Sequence, residues 1–211
     1  MYLLLLSVIY LAFIGLGLPD SLLGSAWPTI RVEFEVPLSY MGMVSMVISG
    51  GTIFSGLMSE RITKKFGTRA VTTVSTLLTA VALFGFSTTT DFYQMCLWAI
   101  PYGLGAGAID AALNNYVALY YNSRHMSWLH CFWGVGTIIS PYIMSYALTH
   151  TVWANGYRMV SYLQFSIVTV LLLTIPLWKI NKGNTQIEEN SKVLGLRGAL
   201  KIKGVPYLLT G

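Results

Sequence analysis

Two aspartates, Asp20 and Asp110, stand inside long apolar stretches and are the residues with the most chemical capacity in this sequence. A carboxylate in a lipid-spanning helix costs roughly 2.5–3.5 kcal/mol on insertion scales, so it faces a bundle interior or a watery cavity. A low dielectric penalises the charged form, so a carboxyl in such a place is suited to load and release a proton as its surroundings open to alternate sides. The plainer reading is structural: each Asp caps a broken helix or bonds a neighbouring span, and Pro19 favours this for Asp20. Asn114 lies one helical turn beyond Asp110 on the same face, with Asn115 beside it, which offers a carboxylate and an amide to one cavity. His130 and Trp133, nearly one turn apart, and Gln164 add an aromatic face with polar groups, a wall suited to a hydroxyl-rich ligand. Asn, Gln and His also bond span to span as structural glue, so both readings stand for His130 and Gln164.

The elements that must position these residues follow from composition. Hydrophobic side chains make up 55% of the 211 residues and charged ones only 10%, with a mean hydropathy of +0.62, whereas soluble domains carry about 25% charged residues. A bilayer core of about 30 Å takes about 20 apolar residues per helix, so six spans would use ~120 residues. Long uncharged runs without ten-residue alternation exclude an outer-membrane barrel. The net charge of +5 has no folded polar domain on which to form a phosphate-binding patch, so nucleic acid is not expected as a partner. Cys96 and Cys131 lie in apolar runs with neither metal-site spacing nor a disulfide framework, and read as small packing residues. No metal, cofactor or catalytic group is expected.

The apolar runs predict spans at about 2–27, 38–58, 70–86, 92–120, 127–148 and 157–178. The first has no basic leader and no small-residue cleavage site, and reads as a retained span. Glu60 to Lys65 read as a charged loop, Asn122 to His125 as a polar break and Asn155-Gly156 as a turn. Trp27 and Trp128 read as interfacial anchors. Residues 179–203 form a polar, mixed-charge segment, and 204–211 turn apolar again, as the start of a seventh span. Since spans alternate sides, eleven of the thirteen Lys and Arg fall on one side, with Arg31 and Arg158 on the other. The positive-inside rule makes the rich side cytoplasmic and puts both ends of the chain there.

Span one carries Gly15-Leu16-Gly17-Leu18-Pro19-Asp20-Ser21-Leu22-Leu23, and span four carries Gly105-Ala106-Gly107-Ala108-Ile109-Asp110-Ala111-Ala112-Leu113. Span two carries Gly51-Thr52-Ile53-Phe54-Ser55-Gly56, and span five Gly136-Thr137-Ile138-Ile139-Ser140-Pro141. Two matches in the same order, offset by 90 and 85 residues, predict that spans one to three recur as spans four to six. Three is odd, so the second copy is inverted. Inverted triplets with a midplane site are a pattern of secondary transporters. The expected architecture is an all-α integral membrane protein of six transmembrane helices, two inverted three-helix repeats at about 1–87 and 91–178.

The segment Gly56-Leu57-Met58-Ser59-Glu60-Arg61-Ile62-Thr63-Lys64-Lys65-Phe66-Gly67-Thr68-Arg69 resembles the loop motif G-x-x-x-D-R-x-G-R-R of the major facilitator superfamily. Glu60 stands for the Asp, Thr63 for the usual Gly, and Gly67 and Arg69 supply the glycine and base slightly later. The resemblance implies the N-terminal half of that fold, with Gly56, Glu60, Arg61, Gly67 and Arg69 as a conformational latch. The stretches Asp110 to Asn115 and Trp128 to Pro141 are similar to the fucose permease-like sugar transporters. That likeness implies Asp20 and Asp110 as proton-coupling or substrate groups, although Asp110 stands where the fucose carrier has Glu. It implies a linker over 179–203, a seventh helix from 204, and a C-terminal six-helix half beyond this sequence.

The expected function is a proton-coupled symporter for a small solute, a sugar, working by alternating access in the cytoplasmic membrane, with protons and the lipid bilayer as its other partners. A proton-driven exporter of amphipathic compounds is the runner-up, against which Asn114 and Asn115 argue. An intramembrane aspartyl protease is a remote alternative, since the flanks of Asp20 and Asp110 match neither Tyr-Asp nor Gly-x-Gly-Asp. A non-transporting sensor on the same fold would bind a ligand without moving it.

Overall fold

A computed structural model describes residues 2–175 and Trp178. The helices and the site lie in one compact unit, Met1–Leu177. The linker expected over 179–203, the helix expected over 204–211 and the basic residues from Lys179 to Lys203 lie outside the described residues. Among the described residues there are seven helices: α1 (Tyr2–Gly17), α2 (Leu22–Glu33), α3 (Tyr40–Phe66), α4 (Thr68–Phe86), α5 (Phe92–Tyr120), α6 (Ser123–His150) and α7 (Trp153–Leu173). Together α1 and α2 form one broken span, and among the described residues six helical stretches are long and apolar enough to cross a membrane. Helices are the required form, since each satisfies its own backbone groups where water is absent.

The boundaries differ from the sequence reading where charge or glycine suggested a loop. Glu60 to Lys65 belong to the last turns of α3. Glu, Arg and Lys are good helix formers, and Glu60 pairs with Lys64 one turn on at 3.2 Å. The turn is the single residue Gly67, at φ 82, a left-handed conformation that glycine adopts without strain. Asn122 is the cap before α6, so Ser123 to His125 are already helical. Asn155 and Gly156 lie inside α7. Gly156 packs beneath the end of the Met144 side chain of α6, whose sulfur a Cβ there would meet at 2.8 Å. The last helix also ends at Leu173, short of the expected 178. Trp27 is not an interfacial anchor: it is buried and its indole donates to the Leu38 carbonyl at 3.1 Å, tying α2 to the start of α3.

One predicted start is held by local chemistry. Asp91 caps α5 by accepting from the Gln94 amide at 2.9 Å, and the Gln94 side chain accepts from the Thr90 amide at 3.3 Å. This reciprocal arrangement satisfies donors that a helix start leaves free.

The packing carries the internal repeat. Helix α3 packs on α5, α6 packs on α1, and α4 lies between α5 and α7. Gly17 of α1 lies against the backbone of Trp133 and Thr137 in α6; Gly107 of α5 lies against the backbone of Thr52 in α3. Adding 90 to Gly17 gives Gly107, and adding 85 to Thr52 gives Thr137. The reciprocal contacts obey the same offsets. Gly51 approaches Leu104, and Gly136 approaches Ile14. At Gly17, Gly107 and Gly136 a Cβ would strike backbone of the partner helix and at Gly51 it would crowd it, so the repeated Gly-x-Gly and Gly-Thr-Ile motifs are the two sides of one close helix crossing used twice.

Helices α3 and α6, equivalent members of the two repeats, are the least buried spans. Met46, Ile53 and Leu57 of α3 and Trp128, Ile138 and Tyr142 of α6 are exposed. By contrast α4 and α7 are joined by a buried hydroxyl, Ser161 donating to the Ala80 carbonyl at 2.9 Å.

Candidate functional site

The break between α1 and α2 comes from Pro19. Proline has no N–H, so the Gly15 carbonyl four residues earlier is left without its helical donor. Gln164 of α7 supplies one: its side-chain amide donates to that carbonyl at 2.6 Å. A second proline is treated alike. Pro141 of α6 deprives the Thr137 carbonyl, and Ser21, next to Asp20, donates its hydroxyl there at 3.0 Å. The two hydrogen bonds fix the non-helical segment that carries Asp20 against α6 and α7.

From this break the Asp20 carboxylate reaches a cavity of about 300 Å³ lined by Leu16, Asp20, Ile48, Thr52, Tyr102, Ala106, Asp110, His130 and Trp133. Both Asp20 oxygens are occupied. Tyr102 of α5 donates to Oδ1 at 3.1 Å, and the Trp133 indole of α6 donates to Oδ2 at 2.9 Å. Asp110 is held less: Asn114 donates to its Oδ1 at 2.9 Å. His130 lines the same cavity and meets Phe13 edge-on with centroids 6.1 Å apart. Among the described residues, no Lys or Arg lines the cavity.

Four of the residues singled out in the sequence, Asp20, Asp110, His130 and Trp133, are therefore brought together. Asn114 stands one turn away, engaged with Asp110, and its carbonyl oxygen is buried without a partner. Asn115 is exposed and does not line the cavity. Gln164 is buried and does not line it either; its amide is committed to Gly15, the structural role that a buried Gln takes when a proline frees a carbonyl. Glu60, Arg61, Gly67 and Arg69 lie around the α3–α4 junction and Gly56 lies a few turns earlier in α3, with none of them among the cavity residues. A Cβ on Gly56 would meet nothing within 4 Å, so packing does not require glycine there.

Tyr102 and Thr52 are site residues that the sequence reading missed. Tyr102, Ala106 and Asp110 fall on one row of α5 at four-residue spacing, a signal available in the sequence. Thr52 lies in the repeated Gly-Thr-Ile motif. Its hydroxyl donates to Ile48 at 3.0 Å and reaches the Gly103 carbonyl at 3.3 Å, joining α3 to α5 beside the cavity.

Comparison with known proteins agrees with this architecture. Residues 9–209 match the family model of the Major Facilitator Superfamily. The chain is 23% identical over 170 residues to the cis,cis-muconate transport protein of Acinetobacter baylyi, a match covering 79% of this chain and 40% of that protein. It is 23% identical over 138 residues to the glucose/mannose transporter GlcP of Bacillus subtilis, covering 64% of this chain and 34% of that protein.

Proposed function

Because this chain belongs to the Major Facilitator Superfamily, we propose that it supplies six spans of a proton-coupled symporter for a neutral, hydroxyl-rich solute, a sugar, working by alternating access. The observation that carries the reading is a cavity lined by two carboxylates, an indole and an imidazole, with no Lys or Arg in its lining among the described residues. Such a wall accepts hydroxyl donors and offers an aromatic face to a sugar ring, while it repels an anion. The name of one relative, a muconate transporter, favours a dicarboxylate instead; that solute would need cations that this cavity does not contain.

The proton has a definite place at Asp20. The Trp133 indole is a donor only and takes up one lone pair of Asp20 Oδ2, which favours the other oxygen as the place for the proton. The Tyr102 hydroxyl both donates and accepts, so a proton on Oδ1 is accommodated by reversing the Tyr102 bond. Asp110 is the second loading group, with Asn114 orienting it and His130 in the same cavity. Asn114 is also a substrate group by its position, with His130 and Trp133; Asn115 and Gln164 have no place in that role.

The remaining parts of the machine fit the same scheme. The protein sits in the cytoplasmic membrane with the Arg61, Lys64, Lys65, Arg69 and Arg124 side inward by charge bias. The exposed Met46, Ile53 and Leu57 face of α3 and the exposed face of α6 take the C-terminal six-helix half, as the chain covers 40% and 34% of the two relatives. Glu60, Arg61 and Arg69, flanking the Gly67 turn with Gly56 a few turns before it, form the latch that locks one state.

The test is uptake into right-side-out membrane vesicles from cells expressing the complete reading frame, with an imposed inward proton gradient. Labelled glucose, mannose and fucose should include one solute that accumulates. Accumulation of a dicarboxylate and of none of the sugars would replace this reading with the anionic one.

A further inference from the structure

A second cavity, of about 500 Å³, shares no lining residue with the site above. One wall is the α3 row Phe54, Met58, Ile62 and Phe66, at four-residue spacing on one helix face; the facing wall includes Val71 and Val74 of α4. Ala108 of α5 closes the floor, packed with Val71 in a buried apolar cluster. Phe54, Phe66 and Val74 are exposed, so the groove opens sideways, towards what surrounds the bundle.

Its length and its charge point to one kind of occupant. Twelve residues separate Phe54 from Phe66, a rise of about 18 Å, comparable with one leaflet of a bilayer whose hydrocarbon core is about 30 Å. At the Phe66 end the Lys65 ammonium stands over the Phe66 ring, 5.3 Å from its centroid, which puts a cation at the mouth of the groove. Arg69 adjoins the lining residue Ala70. Arg61 and Lys64 belong to the same junction, where Glu60 is the single carboxylate and is paired with Lys64. The groove is apolar along its length and cationic at one end. We infer that it is a binding site for an anionic phospholipid, with an acyl chain along the α3 row and the phosphate at Lys65 and Arg69.

The experiment is native mass spectrometry of the full-length protein in detergent, titrated with an equimolar mixture of phosphatidylglycerol and phosphatidylcholine. Phosphatidylglycerol adducts should dominate by about thirtyfold, the effect of two basic side chains on a lipid that carries a net negative charge. Lys65→Gln and Arg69→Gln together should abolish the preference and leave phosphatidylcholine adducts unchanged. Equal binding of the two lipids by the native protein, or a preference that survives the double substitution, would overturn the inference. Benzoylphenylalanine in place of Val74, photolysed in native membranes, gives an independent readout. A phospholipid adduct supports the site; an adduct to another part of the same polypeptide shows that a protein segment fills the groove and overturns it.

Discussion

Gln164 and Gly15 are joined by a 2.6 Å hydrogen bond that replaces the one Pro19 removes. Span one is thus broken by its own sequence and mended from span six, and the segment so held presents Asp20 to the cavity. The bond is buried, and a buried acceptor left unsatisfied costs about 1–3 kcal/mol. Gln164→Met should therefore destabilise the full-length protein by about that amount in an equilibrium unfolding measurement in detergent. The same substitution in a Pro19→Ala background should cost less, because residue 19 then has an N–H to offer Gly15. Equal costs in the two backgrounds would separate Gln164 from the proline break.

The crossing repeated in α1–α6 and α3–α5 has its own test. Gly17→Ala and Gly107→Ala each drive a methyl group into partner backbone, and overpacking of this kind costs about 1–3 kcal/mol. The two should be alike in size, since the contacts are related by the repeat. Gly56→Ala, which meets nothing, should leave thermal stability unchanged. Any loss of uptake in Gly56→Ala then reports on the latch and not on folding.

The two donors that hold Asp20, Tyr102 and Trp133, have separable roles. Tyr102→Phe removes the group able to reverse its bond when Oδ1 takes a proton, so it should slow accumulation against a gradient about tenfold or more, in line with the usual weight of a positioned proton-transfer partner. Exchange of labelled for unlabelled solute, which needs no net proton movement, should persist. Trp133→Phe keeps the aromatic face but frees Oδ2, and should weaken solute affinity less than Trp133→Ala. Initial-rate uptake and exchange measured on the same vesicles check both.

The spans were legible because apolar length alone sets them, and Asp20 and Asp110 because a carboxylate is costly in lipid. The repeat was legible from Gly-x-Gly and Gly-Thr-Ile, whose glycines now have a shared cause in close helix contact. Breaks were read poorly. Charged helix formers at Glu60 to Lys65 look like a loop in composition, yet continue α3; Gly156 looks like a turn, yet makes room for Met144. The partners of Asp20 were out of reach, as Tyr102 and Trp133 lie 82 and 113 residues away in sequence. Gln164 bears the same side chain whether it binds solute or mends a helix, and its burial against Gly15 favours the second.

The central claim is that solute and proton move together through the Asp20–Asp110 cavity. The most direct measurement is the external pH of a lightly buffered suspension of energy-depleted cells expressing the complete reading frame, on addition of each neutral sugar in turn. Coupled movement predicts alkalinisation with one sugar, lost in Asp20→Asn and in Asp110→Asn although both variants reach the membrane. Sugar uptake without a pH change in the native protein, or undiminished alkalinisation in both variants, would contradict it.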